Sequence, residues 1–256
     1  MFVGYQEDLT KMSESVSEIF LDVKNTGKKE LAVLIDPDTP DASLLPRIAD
    51  TIEGAGVRIV LFGGSLLTQF ELDEKIGFLK ENTSAKIISY PSSAQQVSAK
   101  ADAILFLSLI SGRNPELLIG QQVIAAPLIK RLGLEAIPTG YMLVDGGRPT
   151  TASYMSGTFP IPYDKPEIAA CTAMAGEMLG LRNIYMDAGS GAQNAISPAM
   201  ISAVRQSVNT PIIVGGGIRT EEKAVEICEA GADIIVVGNA VEKNPLLIKG
   251  LVQAIQ

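Results

Sequence analysis

Residues 211–220, PIIVGGGIRT, contain a complete transition from a strand to a helix. Four apolar or β-branched residues lead into three consecutive glycines. Thr220 is then followed by two glutamates, a pattern typical of a helix start. Glycine loses more backbone freedom on folding than other residues, so three together at a strand end need a local reason. The stretch predicts a strand–turn–helix unit whose turn has an unusual backbone conformation.

The same unit recurs along the 256-residue chain. Apolar runs that end in turn residues alternate with helical segments, and most runs are continuous, which is typical of parallel strands buried on both faces. The predicted strands are 31–36, 57–63, 86–90, 102–107, 139–144, 183–187, 211–214 and 233–237. The predicted helices include 42–54, 114–132, 165–179, 198–207 and 221–230, with N-caps at Ser197 and Thr220 and closing glycines at Gly54, Gly180 and Gly231.

Eight strands that alternate with helices predict an α/β fold, a single (β/α)8 TIM barrel over residues 1–256. An open, doubly wound sheet is the alternative. The strand count and the absence of a second compositional regime favour the barrel. The residues before Leu31 predict one extra amphipathic helix that caps it.

Composition narrows the class of protein. The net charge of −8 disfavours a nucleic-acid partner, since no basic stripe is available to neutralise phosphates. Glu7 and Asp8 precede any apolar run, unlike a signal peptide, and no apolar run is long enough to span a bilayer. Cys171 and Cys228 are far apart, which indicates two small buried thiols in a reducing compartment. We expect a cytoplasmic protein with no transmembrane segment.

The chain contains no histidine. This removes the most common general base and the most common metal ligand. Catalysis would therefore use carboxylates, tyrosine, lysine, hydroxyls or backbone dipoles. A bound metal would be a hard, oxygen-ligated ion such as Mg²⁺.

Glycines follow the last two predicted strands, at the end of a TIM barrel where active sites form. Phosphate sites in these barrels use the loops after strands seven and eight, where backbone N–H groups can point at an anion. Gly216 and Gly217, with Gly238 and Asn239, fit that layout. Ordinary tight turns between strand and helix are the alternative.

Acids follow two other strands. Asp36 could hold Mg²⁺, with Ser65 adding a hydroxyl oxygen from the next strand. An Asx turn at Asp36 and a helix N-cap at Ser65 explain them equally well, and Asp38 is read as a turn residue.

The seven residues from Tyr185 to Gly191, YMDAGSG, place a candidate general base, Asp187, beside a backbone suited to anions. A solvated loop acid is the alternative. The looser candidates are Tyr90, Tyr141, Tyr154, Arg148, Arg219 and Lys165.

Five motifs occur in order between residues 31 and 240: LIDPD, FGGS, YMDAGSG, VGGGI and VVGNAV. Together they resemble the geranylgeranylglyceryl phosphate synthase family, which includes the bacterial PcrB-like prenyltransferases. Residues 156–170, SGTFPIPYDKPEIAA, are similar to the second, longer-chain group of that family.

The resemblance implies a TIM barrel that transfers a long prenyl group, expected to be geranylgeranyl, from its diphosphate to sn-glycerol 1-phosphate. The reaction makes an ether bond with Mg²⁺ in phospholipid biosynthesis. The resemblance also implies a homo-oligomer, either a dimer or a hexamer built from dimers, and its lipid product suggests peripheral contact with a membrane.

The motif positions also imply roles for individual residues. Asp36 and Ser65 match the metal positions, and Asp187 and Tyr185, in the glycerol phosphate loop, are the expected catalytic residues. The implied substrate-binding residues are Tyr185, Met186, Asp187, Ala188, Gly189, Ser190, Gly191, Gly216, Gly217, Gly238 and Asn239.

Two positions depart from the family pattern. The family commonly has Glu where Asp187 stands, one methylene longer, and Lys where Thr39 stands. Two other functions stay open at this point. The glycine loops alone fit an isomerase or lyase of a small sugar phosphate equally well, and a non-catalytic barrel could bind a phosphorylated ligand.

Overall fold

Eight parallel strands form a closed barrel in a computed structural model, which describes residues 15–38, 43–68 and 72–256. Neighbouring strands follow sequence order, and β8 pairs with β1, so the predicted TIM barrel is confirmed. The strands are β1 Glu30–Ile35, β2 Ile59–Phe62, β3 Lys86–Ser89, β4 Ala103–Leu109, β5 Glu135–Leu143, β6 Asn183–Asp187, β7 Ile212–Gly215 and β8 Ile234–Val237.

Both faces of the strands are buried, which explains the continuous apolar runs. In β1, Ala32 packs in a cluster with Ile59 that fills the barrel. Its neighbours Leu31 and Val33 belong to the larger cluster between the strands and the helices. Successive strand side chains point to opposite faces, so each needs an apolar residue at nearly every position.

The helices within the described ranges surround the barrel. They are α1 Val16–Thr26, α2 Leu44–Ala55, α3 Leu72–Asn82, α4 Gln121–Leu132, α5 Thr151–Ser156, α6 Pro166–Met178, α7 Pro198–Arg205, α8 Glu221–Glu229, α9 Asn239–Lys243 and α10 Leu247–Ile255. The N-caps are confirmed: Ser197 accepts from the Met200 amide and Thr220 from the Lys223 amide. None of these helices has both the length and the apolar character needed to cross a bilayer.

Helix α1 confirms the predicted N-terminal cap. It begins with a capping box at Ser15, and Phe20 and Val23 are buried in the cluster inside the barrel. The Glu135 carboxylate, at the start of β5, accepts hydrogen bonds from the Val16 and Ser17 amides at 2.9 Å each. The helix therefore closes the end of the barrel where the strands begin, opposite the predicted working end.

Strand β5 begins four residues before the predicted start at residue 139. Pro138 lies inside it, paired with Phe106. Proline cannot donate a hydrogen bond to a sheet, so it argues against a central strand. Here its carbonyl still accepts from the Arg182 amide at 2.9 Å, so the pairing with the β6 side continues.

Three local predictions were wrong. The helix predicted over 114–132 begins with a π-helical turn, Glu116–Gly120, before α4. Helix α2 continues through Gly54 and ends at Gly56, whose φ of +68° provides the left-handed cap. Cys228 is buried as expected, but Cys171 is exposed, because it lies on the face of α6 opposite the packed alanines.

Candidate active site

One cavity of about 720 Å³ lies at the ends of the strands from which the predicted functional loops leave. It brings together residues that are far apart in the sequence. The predicted site residues that line it are Asp36, Ser65, Tyr185, Asp187, Gly189, Ser190, Gly191, Gly216, Gly217, Gly238 and Asn239.

Met186 and Ala188 do not line this cavity. Both side chains are buried in the cluster between the strands and the helices. Met186 lies between Tyr185 and Asp187, and the alternation along a strand turns it to the opposite face. The Ala188 amide donates to the Gly215 carbonyl at 3.0 Å, within the sheet. The structure therefore brings five residues of the seven-residue motif to the cavity and places the side chains of Met186 and Ala188 outside it.

The glycines after β7 allow two loops to approach closely. Gly216 has a φ of +83°, and a β-carbon there would lie 2.8 Å from the amide nitrogens of Ala188 and Gly189. Gly217 has a φ of +73°, and its β-carbon would lie 2.6 Å from the Ala195 nitrogen. Both the positive φ and the close contact exclude a side chain. This is the local reason for two of the three consecutive glycines. At the third, Gly215, a β-carbon would lie 2.7 Å from the Tyr185 hydroxyl oxygen.

A hydrogen bond joins the loops after β6 and β8. The Ser190 hydroxyl donates to the Asn239 side-chain oxygen at 2.9 Å. The loop after β7 is tied to its neighbour by Arg219, which donates to the carbonyls of Gln193, at 3.1 Å, and Ala192. The three glycine-bearing loops therefore form one connected wall of the cavity.

Cationic side chains line the same cavity. Arg148 lies at the polar wall, where a β-carbon on Gly191 would be 3.0 Å from its guanidinium. Lys243, in α9, also lines the cavity. A glycine-rich wall with positive charges beside it suits an anion such as a phosphate.

Asp187, at the end of β6, is 7% exposed, and its two oxygens accept hydrogen bonds from three donors. The Gly189 amide donates to Oδ1 at 2.8 Å. The Tyr141 hydroxyl donates to Oδ2 at 2.6 Å and the Tyr90 hydroxyl at 3.3 Å. Burial raises the pKa of this carboxyl, and the three hydrogen bonds oppose the rise.

Three tyrosine rings pack together at the end of the barrel. Tyr90 and Tyr141 lie 5.6 and 5.5 Å from Tyr185, measured between ring centroids, and 6.3 Å from each other. Burial is the main cause that raises the pKa of each hydroxyl well above its ordinary value. All three therefore stay protonated at neutral pH and act as hydrogen-bond donors.

Asp36 lies just after β1. Its Oδ1 accepts from the Asp38 amide at 2.9 Å, and a β-carbon on Gly64 would lie 2.8 Å from its Oδ2. Burial raises the pKa of Asp36, the hydrogen bond from the Asp38 amide lowers it, and the nearby Asp38 charge raises it again. The bond from the Asp38 amide to the Asp36 side chain is an Asx turn, the alternative that the sequence left open at Asp36. The Asp38 carboxylate accepts from the amide and the hydroxyl of Thr68, which is 30 positions away in the sequence.

The oxygen atoms around Asp36 suit a hard cation whose remaining ligands come from outside the protein. Within the described residues, no group of three or more Asp, Glu, His or Cys could hold a metal by itself. Asp36 and Ser65 supply a carboxylate and a hydroxyl on one cavity wall. Mg²⁺ is commonly bound by one or two carboxylates together with phosphate oxygens and water, so this set fits Mg²⁺ with a phosphorylated substrate.

A second, more apolar cavity of about 570 Å³ adjoins the first. Leu107, Leu109 and Ile129 are among its apolar lining residues, and Tyr141 also lines it. Both cavities share Ser65 and Tyr90 in their walls. The molecule therefore places a polar compartment directly beside an apolar one.

The structure sorts the looser candidates. Tyr90, Tyr141, Arg148 and Arg219 lie at the two cavities. Tyr154 is 84% exposed and lines neither, and Lys165 is the exposed residue before α6. Thr39 lies outside the described residues.

Glu242 and Lys243 also line the polar cavity, although no sequence motif singled them out. Glu242 Oε1 lies 3.4 Å from the Asp36 amide nitrogen. The sequence signal for them was their position within one helical turn after Gly238 and Asn239, which were already predicted to bind phosphate.

Comparison with known proteins identifies the family. The family model described as the PcrB family matches residues 24–255. The chain belongs to the PcrB family.

Similar proteins extend over nearly the whole chain. The geranylgeranylglyceryl phosphate synthase of Chitinophaga pinensis is 53% identical over 244 residues, which are 95% of this chain and 97% of that protein. The protein of the same name from Pyrococcus abyssi is 43% identical over 220 residues, 86% of each chain. The resemblance inferred from the five motifs is confirmed.

A solved structure gives the corresponding three-dimensional match. The (S)-3-O-geranylgeranylglyceryl phosphate synthase of Thermoplasma acidophilum, in complex with its substrate sn-glycerol-1-phosphate, has a TM-score of 0.88 and 34% identity. The match covers 95% of this chain and 99% of that one. The barrel is thus shared between this PcrB-family chain and a relative whose crystal structure contains a glycerol phosphate.

The crowding at Gly216 predicts a specific defect in a PcrB-family variant. We expect Gly216→Ala to abolish measurable binding of sn-glycerol 1-phosphate in calorimetry, because the new β-carbon pushes the loops after β6 and β7 apart. Gly180→Ala is the matched control, since Gly180 has a φ of +88° with nothing within 4 Å of its β-carbon position. The control loses about 1–2 kcal/mol of unfolding free energy from backbone strain and keeps its binding. Equal binding by both variants would contradict this role for the close contact.

Proposed function

We propose that this chain is a prenyltransferase that joins a long prenyl group, geranylgeranyl in the first instance, to sn-glycerol 1-phosphate through an ether bond and releases diphosphate. One observation carries the proposal: a polar, glycine-walled cavity adjoins an apolar one, and they meet at Tyr90 and Ser65. A phosphate-bearing acceptor and an apolar donor need such a pair of compartments. The named relatives support the same reaction.

The glycerol phosphate occupies the polar cavity in this proposal. Its phosphate lies against the backbone of Gly216 and Gly217, which have positive φ angles, and against Gly238 and Asn239 from the next loop. Arg148 and Lys243 add positive charge to the same wall. The loop from Gly189 to Gly191 then faces the glycerol carbons.

Asp187 acts as the general base. As the glycerol oxygen attacks C1 of the prenyl group, the new C–O bond forms and the bond from C1 to the diphosphate oxygen breaks. The hydroxyl proton passes to Asp187, and the electron pair of the broken bond leaves with diphosphate. Tyr185 lines the cavity beside this acid, where it hydrogen-bonds glycerol or faces the developing allylic cation.

The prenyl chain occupies the apolar cavity. Its walls come from β4, α4 and the loop after β3, residues 90–97, and they exclude water from the tail and from the reacting carbon. Ser65 and Tyr90 mark the boundary where the diphosphate end of the donor meets the glycerol hydroxyl.

Mg²⁺ is part of the proposal. Asp36 and Ser65 would hold it, with Glu242 close to the same point. When bound, the ion neutralises negative charge on the diphosphate leaving group.

Replacing Asp187 tests the base. We expect Asp187→Asn to lower kcat for ether formation by about 100-fold or more, because Asn cannot accept the hydroxyl proton. Glycerol phosphate binding should change little, since the phosphate wall is intact. Ether formation is measured with radiolabelled sn-glycerol 1-phosphate, geranylgeranyl diphosphate and Mg²⁺. The control is Asp50→Asn, which makes the same change at an exposed residue in α2.

Donors of several chain lengths complete the assay. If the wild-type protein forms no ether product with any of them, the proposed function is wrong. Turnover of a small sugar phosphate without a prenyl donor would instead support an isomerase or lyase.

Replacing Asp36 tests the metal site. We expect Asp36→Asn to raise the Mg²⁺ concentration needed for half-maximal rate by about tenfold or more, because a charged ligand becomes neutral. Ser65→Ala should produce a smaller rise. Initial rates measured across a Mg²⁺ titration after chelation give both values, and an unchanged midpoint in Asp36→Asn would place the ion elsewhere.

We also propose a cytoplasmic homo-oligomer, a dimer or a hexamer, that contacts the membrane only peripherally to deliver its lipid product. Large apolar side chains remain exposed on the described part of one protomer, including Val123 and Ile124 at 64% and 63% and Phe159 at 95%. Val123 and Ile124 are adjacent in α4, and exposed apolar patches are typical of protein interfaces. Light scattering should give two or six times the chain mass. The double variant Val123→Glu, Ile124→Glu should have a lower mass, and a monomeric wild-type protein would refute the assembly.

A further inference from the structure

The reach of Asp187 raises a question that the proposed base role leaves open. Its carboxylate has one methylene fewer than a glutamate, so it lies close to the end of β6. A short side chain can act as a base only if its orientation is fixed, because misplacement by about 1 Å can cost 100-fold in rate. The residues that fix it are therefore part of the catalytic design.

Two of the three donors to Asp187 are tyrosine hydroxyls on the same oxygen. Tyr141 donates to Oδ2 at 2.6 Å and Tyr90 donates to it at 3.3 Å. The Gly189 amide, by contrast, holds Oδ1. Because an ionised carboxylate only accepts hydrogen bonds, all three contacts favour its charged form.

The two tyrosines lie on the apolar side of the acid. Tyr141 lines the apolar cavity, Tyr90 lines both cavities, and Asp187 lines the polar one. The hydroxyl pair therefore stands between the carboxylate and the space assigned to the prenyl chain. With Oδ2 held on that side, the capacity of the carboxylate to accept a further proton points into the polar cavity.

Packing fixes the positions of both hydroxyls. Tyr141 is the register partner of Tyr185 on the neighbouring strand, and their rings meet edge to face at 5.5 Å. Tyr90 donates its amide to the Phe62 carbonyl at 2.9 Å, and a β-carbon on Gly63 would lie 2.0 Å from its carbonyl oxygen. Both tyrosines are thus anchored by the barrel.

We propose that Tyr90 and Tyr141 are positioning residues for the reaction, whose hydroxyls hold the Asp187 carboxylate in the orientation that accepts the proton of the bound glycerol hydroxyl. The inference rests on the proposed function. It assigns the task of fixing this short acid to β5, which carries Tyr141, and to Tyr90, the residue that follows β3. Tyr141, which makes the shorter hydrogen bond, contributes more to this orientation than Tyr90.

The charge state of Asp187 depends on the same pair. Burial favours the neutral acid, and the hydroxyls oppose this by stabilising the anion. Removing a hydroxyl raises the pKa of Asp187, so the base becomes protonated at a higher pH. The titratable side chains that face it are Tyr90, Tyr141 and Tyr185, and the charged groups that line the same cavity are Asp36, Asp38, Arg148, Arg219, Glu242 and Lys243.

The pH dependence of kcat/KM for sn-glycerol 1-phosphate tests the proposal. We expect the acidic limb of the profile to move upward by about one to two pH units in Tyr141→Phe. This shift corresponds to the free energy of one hydrogen bond to a charged group. The rate on that limb falls by about 10- to 100-fold and recovers as the pH rises. Tyr90→Phe should shift less, and the phosphate of the substrate titrates equally in every variant and cancels.

Two controls separate positioning from general damage. Tyr163→Phe removes the hydroxyl of a 40% exposed tyrosine and should leave the profile unchanged. In the Asp187→Asn background, Tyr141→Phe should cost less than about threefold, because residues that act through one another are not additive. A full additional loss in that background would overturn the proposal.

A direct titration keeps the test independent of turnover. Infrared difference spectra of protein with carbon-13-labelled aspartate, assigned with Asp187→Asn, report the pKa of Asp187 itself. An upward shift in Tyr141→Phe supports the positioning role even if no prenyl donor reacts, in which case only the proposed function fails. An unmoved titration, or a rate loss equal at every pH, would show that the tyrosines only support the fold.

Discussion

The close contact between the loops after β6 and β7 is the constraint on which the site depends. Gly216 packs against the Ala188 and Gly189 amides at a distance that no β-carbon permits. The Ala188 amide reaches the Gly215 carbonyl, and the Gly189 amide turns back to the Asp187 carboxylate. One steric condition therefore sets the phosphate wall and the orientation of the acid together.

A second condition is the placement of a buried acid among tyrosines. Desolvation raises the pKa of Asp187 and so favours the protonated acid, which cannot act as a base. Tyr141 and Tyr90 return hydrogen-bond donors to the acid without adding a charge. Both tyrosines also line the apolar cavity. The residues that favour the ionised form of Asp187 therefore also lie between the two proposed substrates.

Much of the fold was predictable because it follows local rules. Strands buried on both faces gave continuous apolar runs, and Ser197 and Thr220 marked helix starts by side-chain hydrogen bonds within three residues. The exceptions were places where distant contacts override local preference. Pro138 lies in a strand because its carbonyl is still paired, and Gly54 lies inside a helix that ends at Gly56.

The sequence by itself determined the barrel, the family and the loops that carry glycine or acid, because each depends on a short pattern or on motif order. Only the tertiary structure decided which of those residues meet. It turned Met186 away from the cavity, brought Tyr90 and Tyr141 to Asp187 from two other strands, and added Glu242 beside Asp36. Barrel closure creates these contacts between residues about 46 to 206 positions apart, and no local pattern encodes such a distance.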